Sequence, residues 1–486
     1  MFFEKQLLRT KAYNVTANSL IAVGDEEGRV RLLESAKGGK PGFPKVYLSF
    51  RPHTNAIIDM AFTEDDSQLA TASGDQTARV IDMPTQTTTS VLANHSASVK
   101  QVRFQPGSAN NSVLATSSRD GSIQVWDLRC KSTEGPVSEI HIPLDPEQPR
   151  SRITATYGCA IQSIYDAHQP PTNTAKGTNA TVSDTAGKVD AVGPGRIGDV
   201  SVTSLSFLPQ GKEHLLLTAS EANACVKLWD IRAVHSTRRR GPIPLAITQQ
   251  PQSHSQWRHF GISSMNLSGD GTRLYTVCKD NTVYAYSTAH LMLGHAPEFS
   301  AEVSRPRRQQ TTQEGLGPLY GFRHPQLHAT SFYVKSALRK EKDGRSELLA
   351  VGSSDGCAIL FPTDERYLHL QKSADDSDDS VPMATSRARP GHPRISSGLG
   401  ISSRGLDTVP ISQNGTPLIR GHDREVGALA WSSEGELITV GDDFLVRCWR
   451  EGADAKDLRT GGEQEGRRWA CGWADVEPMF DDDDEE

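Results

Sequence analysis

His95, Ser117, Asp120 and Trp126 lie within one stretch of chain, and three of them are the residue types of a nucleophilic triad. A serine hydroxyl becomes a nucleophile beside an imidazole base that a carboxylate holds in place. Neither a phosphate-cradling G-x-x-x-x-G-K-[ST] nor a zinc-binding H-E-x-x-H occurs in the sequence. The seven cysteines, at 130, 159, 225, 278, 357, 448 and 471, form no C-x-x-C pair, so neither a metal ligand set nor a disulfide framework is expected. Other residues could bind rather than catalyse. Arg129 and Arg232 end the segments Trp126-Asp-Leu-Arg129 and Trp229-Asp-Ile-Arg232. A planar guanidinium in that place can offer paired hydrogen bonds to a partner's carboxylate or backbone carbonyls. The run Asp25-Glu26-Glu27 could receive a basic group, although acidic turns also serve solvation alone.

The elements that must position these residues repeat. Residues 114–127 (LATSSRDGSIQVWD) and 216–230 (LLTASEANACVKLWD) each read as a strand, a tight polar turn and a second strand. Tryptophan follows the turn at one spacing in both, Asp120 to Trp126 and Asn223 to Trp229. The same template fits 21–34, 69–82, 274–287, 349–362 and 437–450, which gives aligned turn positions 27, 75, 120, 223, 280, 355 and 443. A short apolar-polar-apolar run precedes the copies, and His53, His95 and His422 stand ahead of three of these runs. An imidazole, a hydroxyl, a carboxylate and an indole that recur from copy to copy read as a strand-pinning network rather than a catalytic set. Buried polar groups are tolerated when they satisfy one another.

This pattern resembles the WD repeat. The resemblance implies an all-β fold, a seven-bladed WD-repeat β-propeller with long disordered inter-blade insertions. A propeller is expected over 14–451, with blades near 14–47, 53–83, 95–129, 202–232, 261–288, 331–362 and 422–451. Copy spacing grows from 45 residues (75 to 120) to 103 (120 to 223), where such repeats run roughly 40 to 45. The excess places insertions at 130–200, 289–328 and 363–419, whose compositions bury too little apolar surface to order a core. Basic clusters at 238–240 and 305–308 read as solvated loops, nuclear-import signals or patches for an acidic partner, and the acidic tail that ends the 452–486 segment reads as a solubilising run. With 36% apolar residues, a net charge of -7 and no long apolar run, neither direct sequence-specific nucleic-acid binding nor a membrane span is expected.

Particular segments narrow the resemblance. Residues 22–32 (AVGDEEGRVRL), 53–62 (HTNAIIDMAF), 72–79 (ASGDQTAR), 119–130 (RDGSIQVWDLRC), 331–336 (SFYVKS) and 472–474 (GWA) are similar to the denticleless family, and generic propeller physics does not require 332–336. The resemblance implies a non-catalytic substrate receptor of a cullin-4 RING ubiquitin ligase, with no cofactor and no metal. Such a receptor acts in the nucleus, in DNA replication, the cell cycle and the DNA damage response. It implies that Trp126, Asp127, Arg129, Trp229, Asp230 and Arg232 dock the ligase's triple-propeller adaptor, a damaged-DNA-binding protein, through WDxR motifs on adjacent blades. The opposite face would receive PCNA-associated degron proteins such as the replication licensing factor, with Asp25, Glu26 and Glu27 as candidates for a basic degron residue. Metazoan members of the family carry a clamp-binding motif in a long carboxy-terminal extension, and this sequence contains no Q-x-x-[ILM]-x-x-aromatic-aromatic segment. Closure of the ring by a strand from one terminus is the family expectation. The alternative is a non-ligase WD-repeat scaffold for chromatin or RNA-processing complexes, its insertions carrying the specificity.

Overall fold

Short runs of β-branched and small apolar residues, broken by Asp, Asn and Gly turns, form strands in this chain. The structure, a computed structural model, describes residues 7–15, 18–34, 43, 46–107, 111–131, 137–141, 151–169, 200–209, 211–232, 235–237, 241–251, 253–254, 260–293, 313–314, 317–342, 344–366, 409–451 and 472–473. Among the described residues, seven four-stranded blades follow one another along the chain. From inner to outer strand, blade 1 is Leu7–Val15, Asn18–Asp25, Val30–Glu34 and Val46–Phe50, and blade 2 is Ile57–Phe62, Gln68–Ser73, Ala78–Asp82 and Thr87–Leu92. Blade 3 is Val99–Phe104, Val113–Ser118, Ile123–Lys131 and Ser151–Ile164, and blade 4 is Val202–Phe207, Leu215–Ser220, Val226–Asp230 and Ala246–Ile247. Blade 5 is Ile262–Leu267, Arg273–Cys278, Thr282–Ser287 and Tyr320–Phe322, and blade 6 is Ser336–Arg339, Leu348–Gly352, Ala358–Pro362 and Thr416–Pro417. Blade 7 is Val426–Trp431, Leu437–Gly441, Val446–Glu451 and Gly472–Trp473, the last pairing in parallel with its neighbour.

The core lies between blades. Leu20, Val30, Ile57 and Leu69 join blades 1 and 2, Val80, Val99, Leu114 and Trp126 join blades 2 and 3, and comparable clusters join each later pair. Burying each such aliphatic side chain is worth about 1.5–3 kcal/mol, and no blade could bury both faces alone. Ile438 of blade 7 packs on Ile21 and Val23 of blade 1 and closes the ring. No blade borrows a strand across this seam among the described residues. Blade 1 begins at Leu7 rather than near 14, because Leu7–Val15 is its own inner strand, paired with Asn18–Asp25.

Each expected insertion contains an outer strand. Ser151–Ile164 lies inside 130–200, Tyr320–Phe322 inside 289–328 and Thr416–Pro417 inside 363–419. The excursions of blades 5 and 6 therefore run between third and outer strands, whereas that of blade 3 is split, with 132–150 before its outer strand and 165–201 between that strand and blade 4. The outer strands of blades 5 and 6 are too short to show a period, and none carries the turn and tryptophan that mark the second and third strands. The returning chain follows one rule: it pairs in parallel with the outer strand of the preceding blade. Thr156 and Tyr157 pair with Ser90 and Val91, Gln313 and Glu314 with Ala246 and Ile247, and Ile411 and Ser412 with Gly321 and Phe322. The chain between blades 3 and 4 leaves and re-enters at one turn, since Ala167 N donates to Gly121 O at 3.1 Å and Val200 O stands 3.1 Å from where a Gly121 Cβ would be. Residues 170–199 and 367–408, the clusters at 238–240 and 305–308, and the acidic tail lie outside the described residues.

Antiparallel order fixes two rims. Turns from second to third strand and connections from outer to inner strand form an upper rim, and the other connections form a lower one.

Candidate functional site

The triad-like residues form a buried chain of hydrogen bonds. Thr116 Oγ1 accepts from Trp126 Nε1 at 2.8 Å and lies 2.7 Å from His95 Nε2, while His95 Nδ1 faces Ser122 Oγ at 3.0 Å and Asp120 Oδ2 at 3.4 Å. The hydroxyl of the set is thus Thr116, not Ser117, because neighbouring strand residues face opposite sides and a spacing template cannot separate them. One direction satisfies every donor: indole N–H to threonine, threonine O–H to Nε2, Nδ1–H to carboxylate. Blade 7 repeats the set with His422, Thr439, Trp449 and Asp443, and blade 2 has His53, Thr71 and Asp75 without an indole. In blade 4 His168 lies 2.9 Å from Thr218 Oγ1, which accepts from Trp229 Nε1 at 2.9 Å. Sequence reasoning missed His168 because residues 170–199 part it from its inner strand. Burial pushes the Asp75 and Asp120 carboxyls up, but the histidine hydrogen bonds and charge outweigh this and hold both well below the usual carboxylate range. A hydroxyl committed on both sides inside four blades pins strands and is closed to substrate.

Residues 352–356, Gly-Ser-Ser-Asp-Gly, have the letters of a nucleophile elbow, yet they form the upper turn of blade 6. Ser353 donates to Gln326 O, and Ser354 bonds Glu425 and Thr330 rather than an imidazole. Residues 193–198, Gly-Pro-Gly-Arg-Ile-Gly, have those of a dinucleotide loop and lie outside the described residues. Among the described residues there is no cluster of metal-ligating side chains, and no helix is long and apolar enough to cross a membrane.

The two arginines make identical forks on the lower rim. Arg129 Nε and Nη2 donate to the Asp127 carboxylate at 2.9 and 2.7 Å, and Arg232 does the same to Asp230 at 3.0 and 2.8 Å. The fold sets this up locally. The aspartate, last residue of the third strand in blade 4 and within Ile123–Lys131 in blade 3, accepts the backbone N–H two residues on, at 2.9 Å in both blades, and this Asx-type contact brings the guanidinium alongside. The arginine hydrogen bonds hold both carboxyls below their usual range. Both guanidiniums stay outward, with arginine side chains 62% and 64% exposed, whereas Trp126 and Trp229 are buried and anchor the motif from inside. Of the six expected docking residues, the structure therefore presents the arginines to a partner, keeps the aspartates largely buried as their clamps and withholds the indoles. A third fork escaped the sequence. On blade 6 Arg366 Nε donates to Asp364 at 2.7 Å and its backbone N to the same carboxylate at 3.0 Å. It sits two residues further past its strand, with Phe361 in the tryptophan's place, so the template does not reach it.

The acidic candidates on the upper rim separate. Asp25 is buried, accepts from Glu27 N and Arg29 N at 3.0 and 2.9 Å, and lies 3.2 Å from Arg31. Its carboxylate shapes the turn and is lost to a partner. Gly28 completes that turn at φ 81°, where a Cβ would stand 2.3 Å from His53 O. Glu26 is exposed, and Glu27 lies 3.5 Å from Arg29.

Comparison with known proteins places this propeller. The WD domain, G-beta repeat family matches residues 44–82, 86–127 and 414–450. The chain is 30% identical over 443 residues to "Cell division cycle protein cdt2" of Schizosaccharomyces pombe, which covers 89% of this chain and 66% of that protein. The chain belongs to the denticleless family. Denticleless protein homolog B of Xenopus laevis is 26% identical over 454 residues, 93% of this chain and 49% of that protein. The human Denticleless protein homolog is 26% identical over 344 residues, 70% of this chain and 38% of that protein. The chain spans two thirds or less of the length of these denticleless relatives.

Proposed function

We propose that this denticleless-family chain is the substrate-recognition subunit of a cullin-4 RING ubiquitin ligase and performs no chemistry itself. The lower rim docks the triple-propeller adaptor, and the upper face receives degrons of PCNA-associated proteins such as the replication licensing factor, in the nucleus. Ubiquitin transfer belongs to the RING and its E2, and the receptor acts by raising the local concentration of substrate lysine near them. One observation carries the reading: two carboxylate-clamped, exposed guanidiniums of the same geometry stand on adjacent blades of one rim. Clamping matters because an arginine held in place loses little rotamer freedom when a partner's carboxylate or carbonyl arrives.

Capture of the purified adaptor tests it. Each charge-assisted contact is worth roughly 1.5–3 kcal/mol, so Arg129→Ala with Arg232→Ala is expected to weaken capture by at least about a hundredfold. Intact binding by the double variant, or no capture by the wild type, would remove the reading. Accumulation of the licensing factor during S phase in cells lacking the protein tests the substrate assignment separately.

A further inference from the structure

The place two residues past the end of the third strand decides what a blade offers on the lower rim. Register makes these places equivalent: Val113 pairs with Asp127 in blade 3, Leu215 with Asp230 in blade 4, Arg273 with Ser287 in blade 5 and Gln68 with Asp82 in blade 2. Blades 3 and 4 put Arg129 and Arg232 there. Blade 2 has Pro84, and its Asp82 carboxylate accepts from Thr85 N and Oγ1 at 3.0 and 2.5 Å, a closed turn that offers neither a cation nor a large apolar side chain. Blade 5 departs in the other direction. Its third strand runs straight into the short helix Thr288–Leu293, with Ala289 in the arginine's place.

This helix is fastened to the rim. Thr288 N and Oγ1 donate to Thr272 O and Gly271 O at 3.0 and 2.7 Å, and Leu291 is buried with Leu228 and Ala246 of blade 4 in the cluster that joins blades 4 and 5. Leu293 is left facing outward, 78% exposed, more than any other large apolar side chain among the described residues. Leu245 flanks the same cluster and is 42% exposed. Because Leu228 pairs with Ala246, Leu245 stands beside Trp229, one residue from the aspartate that clamps Arg232, and its backbone N is held on Leu228 O at 2.8 Å. Arg129, Arg232, Leu245 and Leu293 therefore follow one another along the rim from blade 3 to blade 5. Exposed apolar residues standing singly are ordinary, but here two of them continue a pair of clamped guanidiniums, and an apolar anchor beside arginine is the combination in which binding energy concentrates.

We infer that Leu245 and Leu293 receive an apolar side chain of the same protein that takes up Arg129 and Arg232, so that its footprint extends to blade 5 and stops short of blade 2. The inference rests on the lower rim being the adaptor face and adds to that contact an apolar half. The partner surface it calls for has hydrogen-bond acceptors for the two arginines and, one blade further round, an apolar residue. Helix and strand already hold the leucines, so covering them removes apolar area from water at little ordering cost.

The test is capture of the purified adaptor by the full chain. Burying a leucine side chain is worth roughly ten- to a hundredfold in affinity, so Leu293→Asp is expected to weaken capture by about tenfold or more, and Leu293→Met to keep it near the wild-type level. Tyr47→Asp alters a 54% exposed aromatic on the outer strand of blade 1, away from the forks, and is expected to leave capture unchanged. An unaltered urea midpoint for Leu293→Asp reports an intact propeller. If Leu293→Asp leaves capture unchanged while Arg129→Ala with Arg232→Ala weakens it, the inference falls and the adaptor reading stands. An equal loss from Tyr47→Asp also overturns the inference, because exposed apolar surface anywhere on the ring would then suffice. Absence of capture by the wild type strikes the ligase reading itself, and this occupant with it.

Discussion

Thr116→Val replaces a hydroxyl by a methyl of nearly the same shape, so its cost isolates hydrogen bonding. In blade 3 two buried groups lose their partner, Trp126 Nε1 at 2.8 Å and His95 Nε2 at 2.7 Å. Each orphaned polar group costs about 1–3 kcal/mol, which gives about 2–6 kcal/mol for the pair. Blade 2 supplies an internal control, because Ile81 stands where Trp126 does. Thr71→Val strands His53 Nε2, 2.8 Å away, gives up besides it a long 3.4 Å bond to Arg79 O, and should cost about 1–3 kcal/mol. Thr439→Val, which strands Trp449 and His422 at 2.8 Å each, belongs with Thr116→Val. Urea unfolding followed by tryptophan fluorescence, with far-ultraviolet circular dichroism to establish a single transition, gives the comparison. Midpoint losses for Thr116→Val and Thr439→Val are expected near twice that for Thr71→Val. If Thr71→Val costs as much as the others, the indole bond contributes nothing and the relay described above is wrong.

Three further outcomes follow from the geometry. Arg366→Ala removes the blade 6 fork, which stands apart from the adjacent pair on blades 3 and 4, and adaptor capture is expected to stay within about twofold of wild type. Asp75 and Asp120 have depressed folded carboxyls, so the stability they contribute is present above the unfolded value of roughly 3.9 and lost as pH falls below it; Asp75→Asn is expected to make the acid limb of the urea midpoint shallower. Burial lowers the Lys227 ammonium to about 8. The folded chain then sheds that proton before the unfolded chain does, so between pH 8 and roughly 10 the wild-type midpoint is expected to gain on that of Lys227→Met, and parallel curves would refute the assignment.

The second and third strands were legible because a hairpin turn and a tryptophan punctuate them, as at Asp120 with Trp126 and Asn223 with Trp229. The outer strands were not. Ala246–Ile247 and Thr416–Pro417 are two residues each, and no period can be read from two residues. At the candidate site, the arginines of both forks were named from spacing, but spacing could not say that the tryptophans face inward. Nor could it separate Thr116 from Ser117, or show that Asp25 is consumed by Glu27 N and Arg29 N. Each of those depends on which side of a strand or turn a residue faces, and Arg366 was hidden by a two-residue offset. The apolar half of the rim was least legible of all, since Leu245 and Leu293 come together only because blades 4 and 5 pack on each other.

The single turn at Gly121, which holds Ala167 on one side and Val200 on the other, makes the ring indifferent to what is threaded between them. The ends are already joined by the blade, so doubling the intervening length adds only about 0.6 kcal/mol of closure entropy. That position is therefore a cargo port on the upper rim, where a fluorescent reporter or an epitope could be spliced between ends that the turn already holds together. It opens on the rim opposite the arginine forks, so a reporter placed there would leave the adaptor face clear.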